Sequence, residues 1–400
     1  MPNLSSHVKY ILARLEQAGH GAYLVGGSVR DFVMGADPKD WDIATDATPE
    51  RVQRLFSRTV PTGLSHGTVT VLLDGEGMEV TTFRKDGAYL DHRHPEQVAY
   101  VTRLEDDLAR RDFTMNAMAL DVRGKLTDPF GGCRDIEARR IRTVGDPVTR
   151  FTEDALRLFR ALRFSAQLGF AIDVDTQTAM AETSGLARAL SAERIRDEVE
   201  KILLSPRPGR IEEVLELGLL ALYVGPPGRD AVAFARLCEL PCTPISRWAG
   251  MAAILAEAEA IADTVTFLQT LRHSNTTSAI AGTASVLAPA LPTEPIALKQ
   301  SLSRYGIAPI HVAAQVAPLF GNQTSLRIFE QLCPSGEPYR MEHLAITGGD
   351  LLAIGFTPGP HIGAALSALL ERVIVEPELN QREQLLKLAE AFLRGNIRQL

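Results

Sequence analysis

The chain has few cysteines, no long uninterrupted apolar run and no excess of positive charge. Four of its 400 residues are cysteine, which is typical of a protein that folds in a reducing compartment. The first residues, MPNLSSHVKYILARLEQAG, predict an amphipathic helix rather than a secretory signal. No stretch combines the length and hydrophobicity of a membrane-spanning helix. These absences predict a cytoplasmic protein without a membrane partner.

Two common phosphate-binding motifs are also missing. Neither a Walker A sequence nor a G-x-G-x-x-G pattern occurs, which argues against a P-loop ATPase and against a Rossmann dinucleotide site. The net charge is -7, so a nucleic acid would have to bind a local basic surface rather than the field of the whole molecule. Residues 139–163 offer such a surface, because they contain seven arginines and three acidic residues.

The predicted secondary structure changes near residue 150. Before it, β-rich segments such as AYLVGG, WDIAT, GTVTVLLDG and MEVTTFR alternate with one helical segment, PERVQRLF. After it, strong helix formers dominate to the end of the chain. We therefore predict an α+β protein, with an N-terminal α/β domain of about 150 residues followed by an all-helical region.

The segment LVGGSVRD places two glycines between an apolar strand and a short predicted helix. Gly26 and Gly27 would let the backbone approach a phosphate group, and the start of the helix would add free N–H donors. Arg30, in the first turn of that helix, is suited to donate to a phosphate oxygen. An ordinary tight turn without a ligand is the alternative.

Two aspartates follow at a spacing of two residues. In a strand, residues i and i+2 point to the same face, so Asp40 and Asp42 would aim two carboxylates at one place. Such oxygen ligands suit Mg²⁺, and two such ions could activate a hydroxyl and neutralise a leaving pyrophosphate. Glu79, on a predicted neighbouring strand, is the nearest further carboxylate. Taken alone, the pair is more often a solvated strand end.

The segment EDALRLFRALRF contains a second acid–arginine pair. In one helix Asp154 and Arg157 would be neighbours at i and i+3, offering an acceptor beside a donor. Cytosine and adenine both present an amino donor beside a ring-nitrogen acceptor, whereas guanine and uracil present the reverse. Arg160 and Arg163 continue the spacing and could hold a triphosphate. The alternative is an amphipathic helix with solvated arginines.

These segments together resemble a known family. GGSVRD…DWDIAT is similar to the signature of class II nucleotidyltransferases of the polymerase-β superfamily, which includes bacterial CCA-adding enzymes and poly(A) polymerases. RRDFTMNAMA, DPFGG, EDALRLFRALRF and SAERIRDEVEKIL resemble the further motifs of that group, in the same order. The resemblance covers roughly the first 205 residues.

The resemblance implies an activity and a set of site residues. The expected reaction is template-independent addition of C, C and A to the 3′ end of tRNA from CTP and ATP, with release of pyrophosphate and a two-metal mechanism. Asp40 and Asp42 are expected to hold Mg²⁺ and, with Glu79, to be catalytic. The expected nucleotide-binding residues are Gly26, Gly27, Arg30, Arg111, Asp154, Arg157, Arg160 and Arg163.

The resemblance also divides the chain. We expect a nucleotidyltransferase head at 1–150, a base-recognising helical neck at 151–207, a helical body at 208–300 and a tRNA-binding helical tail at 301–400, with the helical parts elongated. The last segment resembles the tail of the Bacillus-type enzyme, which would grip the tRNA elbow mainly through phosphates.

Several alternatives stay open at this point. PTGLSHGTVTVLL resembles the CCA-adding type rather than the poly(A) polymerases, and residues 84–100 resemble the flexible loop that CCA enzymes need for the terminal A. An enzyme that adds only A, a poly(A) polymerase and a non-catalytic RNA-binding protein remain the rival functions. The sequence also leaves a homodimer open.

Overall fold

A computed structural model describes residues 4–38, 40–86, 98–334 and 336–393. The chain divides into two compact units, Met1–Leu222 and Tyr223–Leu400. The first unit combines a mixed sheet with helices, and the described part of the second is helical. The predicted α+β class is therefore confirmed. Among the described residues, no helix is both long enough and apolar enough to cross a bilayer.

The first unit contains short strands and helices in alternation. Its strands are β1 (Ala22–Val25), β2 (Asp42–Thr45), β3 (Thr59–Gly63), β4 (Thr68–Leu73), β5 (Glu76–Thr82), β6 (Arg84–Asp86), β7 (Val98–Tyr100), β8 (Ala119–Leu120), β9 (Leu126–Thr127), β10 (Arg140–Ile141) and β11 (Ala171–Ile172). Its helices are α1 (Ser6–Gln17), α2 (Gly27–Val33), α3 (Pro49–Leu55), α4 (Leu104–Ala109), α5 (Gly132–Glu137), α6 (Pro147–Glu153), α7 (Leu156–Leu168), α8 (Val174–Thr183), α9 (Ala192–Leu203) and α10 (Ile211–Glu216).

The second unit is built from helices. These are α11 (Pro244–Glu257), α12 (Thr264–Thr270), α13 (Asn275–Leu287), α14 (Pro295–Tyr305), α15 (Ile307–Val316), α16 (Thr324–Leu332), α17 (Gly348–Ala353), α18 (Pro360–Val375) and α19 (Arg382–Leu393). Helices α11, α13 and α15 pack on one another, and Trp248 of α11 is fully buried. A separate apolar cluster includes Leu351, Leu369 and Leu385, which joins the last three helices.

The main sheet has the order β3-β4-β5-β2-β1-β8-β9. Strand β2 pairs antiparallel with β1 and parallel with β5. The register places Val25 opposite Asp42 on one side, and Glu79 opposite Asp42 on the other. Because β1 ends where β2 begins, the glycine turn after β1 lies at the same edge of the sheet as the aspartate pair.

Apolar packing fixes this edge. Val25 of β1 and Ala44 of β2 lie in a buried cluster with Phe83 and Leu108. Strand β1 is the continuous apolar run Ala22–Val25 with a buried first residue and a buried end. A strand enclosed on both faces is expected to read as such a run. The polar residues that adjoin these strands are therefore attached to a well-packed backbone.

One predicted helix is interrupted. The sequence predicts a single helix through EDALRLFRALRF, but α6 ends at Glu153 and α7 begins at Leu156. Asp154 between them is extended, with φ -142° and ψ 103°, and its Oδ1 accepts a hydrogen bond from the Leu156 N–H at 3.1 Å. Aspartate side chains often compete with the helical backbone in this way. The prediction that Asp154 and Arg157 share a helix face was therefore wrong.

Candidate active site

A pocket of about 1120 Å³ lies in the first unit and is rich in charged side chains. Eight arginines and six aspartates contribute to its lining: Arg30, Arg84, Arg110, Arg111, Arg157, Arg160, Arg163 and Arg194, with Asp31, Asp37, Asp40, Asp42, Asp112 and Asp154. Arginine is suited to phosphate oxygens, and carboxylates are suited to divalent cations. The lining therefore fits a polyphosphate ligand that carries a metal ion.

The glycine turn lies against the aspartate pair. Gly26 has φ 75° and ψ -138°, a backbone conformation that residues other than glycine rarely adopt. A Cβ atom at this position would lie 3.2 Å from Nη1 of Arg111 and 3.5 Å from Oδ2 of Asp42. Gly26 is thus required by the backbone conformation and by the closeness of two charged side chains.

Asp40 and Asp42 both line the pocket and are both exposed. Asp42 is the first residue of β2, whereas Asp40 lies in a bend two residues earlier. Within the described residues, neither carboxylate accepts a hydrogen bond. Although part of Asp42 is open to solvent, desolvation by the pocket wall raises the pKa of its carboxyl group, Arg111 opposes this, and the charge of Asp40 adds to it. The pair offers oxygen ligands that no donor from the described part of the chain occupies.

Glu79 lies beside Asp42 in the sheet but outside the lining of the pocket. Its Cα is in register with that of Asp42 across β2 and β5, but its exposed side chain is absent from the pocket lining. In the described ranges, no group of three His, Cys, Asp or Glu side chains is arranged to hold a metal ion. The structure thus places Asp40 and Asp42 in one pocket lining and leaves Glu79 outside that lining.

Two arginines of the expected phosphate site are held by nearby polar groups. Arg30 donates to Oδ1 of Asn116 at 3.0 Å and to Asp31 at 2.7 Å. Arg111 donates to the buried Asp107 at 3.2 Å, and its buried Nε has no hydrogen-bond partner among the described atoms. Burial lowers the pKa of Arg111, and Asp107 opposes this. Both guanidinium groups are therefore fixed before any ligand binds.

Asp112 connects the head to helix α7. It accepts hydrogen bonds from Nε of Arg160 at 2.7 Å, from the Phe113 N–H at 2.8 Å and from Asn116 at 3.2 Å. Burial alone would raise the pKa of Asp112, but Arg160 and the hydrogen bonds lower it to about 2. Asp112 is therefore a buried carboxylate that is held ionised by its partners.

The acid–arginine pair lies in the pocket, but each member is held by other residues. Arg157 is 6% exposed and donates to the carbonyl oxygens of Arg150 and Arg110, at 2.7 and 3.2 Å, and to Glu153 at 2.7 Å. Asp154 accepts from Nη2 of Arg194 at 3.3 Å on Oδ1 and 3.2 Å on Oδ2. The two side chains are thus oriented independently.

Three arginines surround the ring of Phe164. The guanidinium carbons of Arg30, Arg160 and Arg163 lie 5.3, 5.6 and 4.4 Å from its centroid. Arg163 also donates to the buried Glu198 at 3.2 Å. The attraction between cation and ring helps to hold three like charges at one side of the pocket.

Three family models match successive parts of this chain. A model described as "Poly A polymerase head domain" matches residues 22–142. A model described as "Probable RNA and SrmB- binding site of polymerase A" matches residues 169–225, and one described as "tRNA nucleotidyltransferase domain 2 putative" matches residues 245–389. The CCA-adding enzyme of Lacticaseibacillus paracasei is 36% identical over 384 residues, covering 95% of this chain and 94% of that enzyme.

The chain belongs to the family of CCA-adding enzymes. The CCA-adding enzyme of Geobacillus stearothermophilus is also 36% identical, over 386 residues and 94% of each chain. The crystal structure of the Bacillus stearothermophilus CCA-adding enzyme in complex with CTP has a TM-score of 0.82 at 33% identity, with 98% of both chains covered. Membership assigns to the chain the activity of the family, addition of CCA to the 3′ end of tRNA.

Sequence reasoning missed several pocket residues in this CCA-adding chain. Asp112, Asn116 and Arg194 line the pocket and bond to expected site residues. All three lie inside motifs that the sequence pointed to, RRDFTMNAMA and SAERIRDEVEKIL, so the motifs contained the signal even though the individual roles were not assigned. Most of the expected flexible loop, residues 87–97, lies outside the described residues.

Proposed function

We propose that the charged pocket of the first unit carries out CCA addition with CTP and ATP as substrates and with pyrophosphate as the leaving group. The observation that carries the proposal is the meeting of Gly26, Asp42 and Arg111 at one place in the pocket. The Bacillus stearothermophilus relative forms a complex with CTP, which supports a nucleotide as a ligand of this chain. The 3′-hydroxyl of tRNA would attack the α-phosphate, forming a phosphodiester bond and breaking the bond to pyrophosphate.

The glycine turn and the arginines would bind the triphosphate. Gly26 and Gly27 leave space for a phosphate beside the backbone, and Arg30 lies close to Gly27, 3.6 Å from its Cβ position. Arg111 has a buried Nε without a hydrogen-bond partner among the described atoms, which is a donor that an anionic ligand can satisfy. Arg160 and Arg163 would add positive charge from α7.

Asp40 and Asp42 would hold Mg²⁺. They fit this role because their carboxylates carry no hydrogen bond from the described residues and line one pocket, in which Asp42 lies beside the glycine turn. Mg²⁺ prefers a few carboxylate ligands together with phosphate oxygens and water. When bound, Mg²⁺ would favour the ionised hydroxyl and neutralise charge on the departing pyrophosphate. The sequence prediction of Glu79 as a further catalytic carboxylate has no support from the pocket lining.

Asp154 and Arg157 would select the base. A carboxylate offers about four acceptor sites; Leu156 and Arg194 occupy three on Asp154, which leaves one on Oδ2. Arg157 uses three of its five N–H groups for protein acceptors, which leaves two. One acceptor beside two donors matches the amino group and ring nitrogen of cytosine and adenine, and opposes guanine and uracil.

The remaining parts of the chain would bind tRNA. We assign the head to 1–150, the base-recognising neck to 151–207, the body to 208–300 and the tRNA-binding tail to 301–400. The match of a tRNA nucleotidyltransferase domain to 245–389 supports a tRNA role for the later part. A homodimer and a cytoplasmic location stay predictions from the sequence.

Product length on a truncated tRNA tests the proposal. The substrate is a tRNA that ends at its discriminator base, incubated with CTP, ATP and Mg²⁺ and resolved on a sequencing gel. The proposal predicts products extended by C, C and A that then stop. Extension by A alone would indicate an A-adding enzyme, a long ladder would indicate a poly(A) polymerase, and no extension would indicate a non-catalytic RNA-binding protein; each would contradict it.

A further inference from the structure

Arg194 is the one residue of α9 that both lines the pocket and contacts the base-selecting pair among the described residues. Its Nη2 lies 3.3 Å from Oδ1 and 3.2 Å from Oδ2 of Asp154, 40 positions earlier in the chain. The only other hydrogen bond that Asp154 accepts from the described residues comes from the Leu156 N–H to Oδ1. Oδ2 therefore depends on Arg194 for its position.

We propose that Arg194 is a positioning residue for base selection. It orients the carboxylate of Asp154 so that one acceptor site on Oδ2 faces the incoming base. The inference rests on the proposed role of Asp154 and Arg157 and adds a third residue to it.

The need for such a residue follows from the rotation of the aspartate side chain. The χ2 torsion of aspartate is broad and roughly two-fold, and the bond from Leu156 holds only Oδ1. Since Arg157 is fixed by three protein acceptors, a carboxylate that turned freely would present its acceptor at a variable distance from the donors of Arg157. A guanidinium that contacts both oxygens restricts that rotation.

Among the described residues, Arg194 has Asp154 as its hydrogen-bond partner. Its Nη1 is buried and has no hydrogen-bond partner among the described atoms, an arrangement that costs free energy and calls for an explanation. Helix α9 packs on α7, and the hydrogen bond from Arg163 to the buried Glu198 joins the same two helices. The packing of the two helices thus sets the position of the Arg194 backbone relative to α7, and the Arg194 side chain orients Asp154.

The test measures the ratio of kcat/KM for CTP to that for UTP on tRNA ending at the discriminator base. We expect Arg194→Ala to lower this ratio about tenfold, because contacting residues couple strongly enough for such a change. Arg194→Lys, which keeps the charge but not the planar group, should lie between Arg194→Ala and the unaltered protein. Arg196→Ala is the matched control on the same helix, outside the pocket lining, and should leave the ratio unchanged.

The variant Asp154→Ala distinguishes a failure of the proposed base selection from a failure of the proposed role of Arg194. On that background Arg194→Ala should cause no further change in the ratio, because Arg194 acts through Asp154. Equal loss of activity with all four nucleotides, or effects that add in the double variant, would show a merely structural role and overturn the inference. If Asp154→Ala itself preserves the ratio, the proposed base selection fails and the inference fails with it; if only Arg194→Ala preserves it, the inference alone fails.

Discussion

Nε of Arg160 donates to Oδ2 of Asp112 at 2.7 Å, across 48 positions of sequence. The bond fastens helix α7, with its pocket arginines, to the part of the head that carries RRDFTMNAMA. Asp112 is 7% exposed and its pKa is lowered from 3.8 to about 2. The ion pair is therefore expected to contribute to stability as well as to the shape of the pocket.

Asp112→Asn should destabilise the protein in a pH-dependent way. Because the pKa of Asp112 is lower in the folded chain, its contribution is complete above the unfolded pKa near 4 and is lost as the pH falls toward 2. The pKa shift of Asp112 corresponds to about 2 kcal/mol in the free energy of unfolding. Urea unfolding should show a constant difference in the free energy of unfolding from pH 7 to about pH 5, shrinking below that. A difference that stays unchanged down to pH 3 would contradict the ionised pair.

Gly26→Ala should impair catalysis more than its strain alone explains. A Cβ at Gly26 would meet Arg111 and Asp42 at 3.2 and 3.5 Å, and small displacements of site groups can lower a rate about 100-fold. Gly35→Ala is the matched control, since Gly35 has φ 76° but nothing within 4 Å of a Cβ. Both variants should unfold at lower urea concentration, whereas only Gly26→Ala should lose kcat/KM. Equal kcat/KM in the two variants would rule out the close approach as a catalytic requirement.

Replacing both members of the base-selecting pair should relax the choice of nucleotide. One good bidentate match is worth about 1–3 kcal/mol of discrimination, so Asp154→Ala with Arg157→Ala should incorporate UTP and GTP at a frequency closer to that of CTP and ATP. The measurement is single-nucleotide incorporation from each of the four triphosphates. The control pair Arg196→Ala with Asp197→Ala removes a neighbouring ion pair outside the pocket lining. An unchanged preference for C and A in the first double variant would count against the pocket.

Local patterns were sufficient to predict much of the fold and part of the site. Strand β1 and the turn at Gly26 are encoded by adjacent residues, an apolar run followed by glycines, and both lie where the sequence predicts. The position of Asp42 beside that turn follows from the antiparallel register of β1 and β2, which sets Val25 opposite Asp42. The roles of these residues in catalysis stay predictions until the variants are measured.

Features that depend on distant parts of the chain could not be read in this way. The bond between Arg194 and Asp154 requires α9 to pack on α7, and no spacing rule connects positions 40 residues apart. The break before α7 arises because the Asp154 side chain bonds to the Leu156 N–H, although aspartate also occurs inside helices. Glu79 shows the converse: its place on a strand next to that of Asp42 was predicted from the sequence, but the pocket lining does not include its side chain.

The central claim is that Asp42 belongs to the chemical step. Its most direct test is pyrophosphate release from CTP and from ATP by Asp42→Ala, with tRNA binding measured in parallel and Glu76→Ala, an exposed acid outside the pocket lining, as the control. The account predicts a loss of at least about 1,000-fold with both nucleotides, with tRNA affinity unchanged. Pyrophosphate release at the unaltered rate would contradict it.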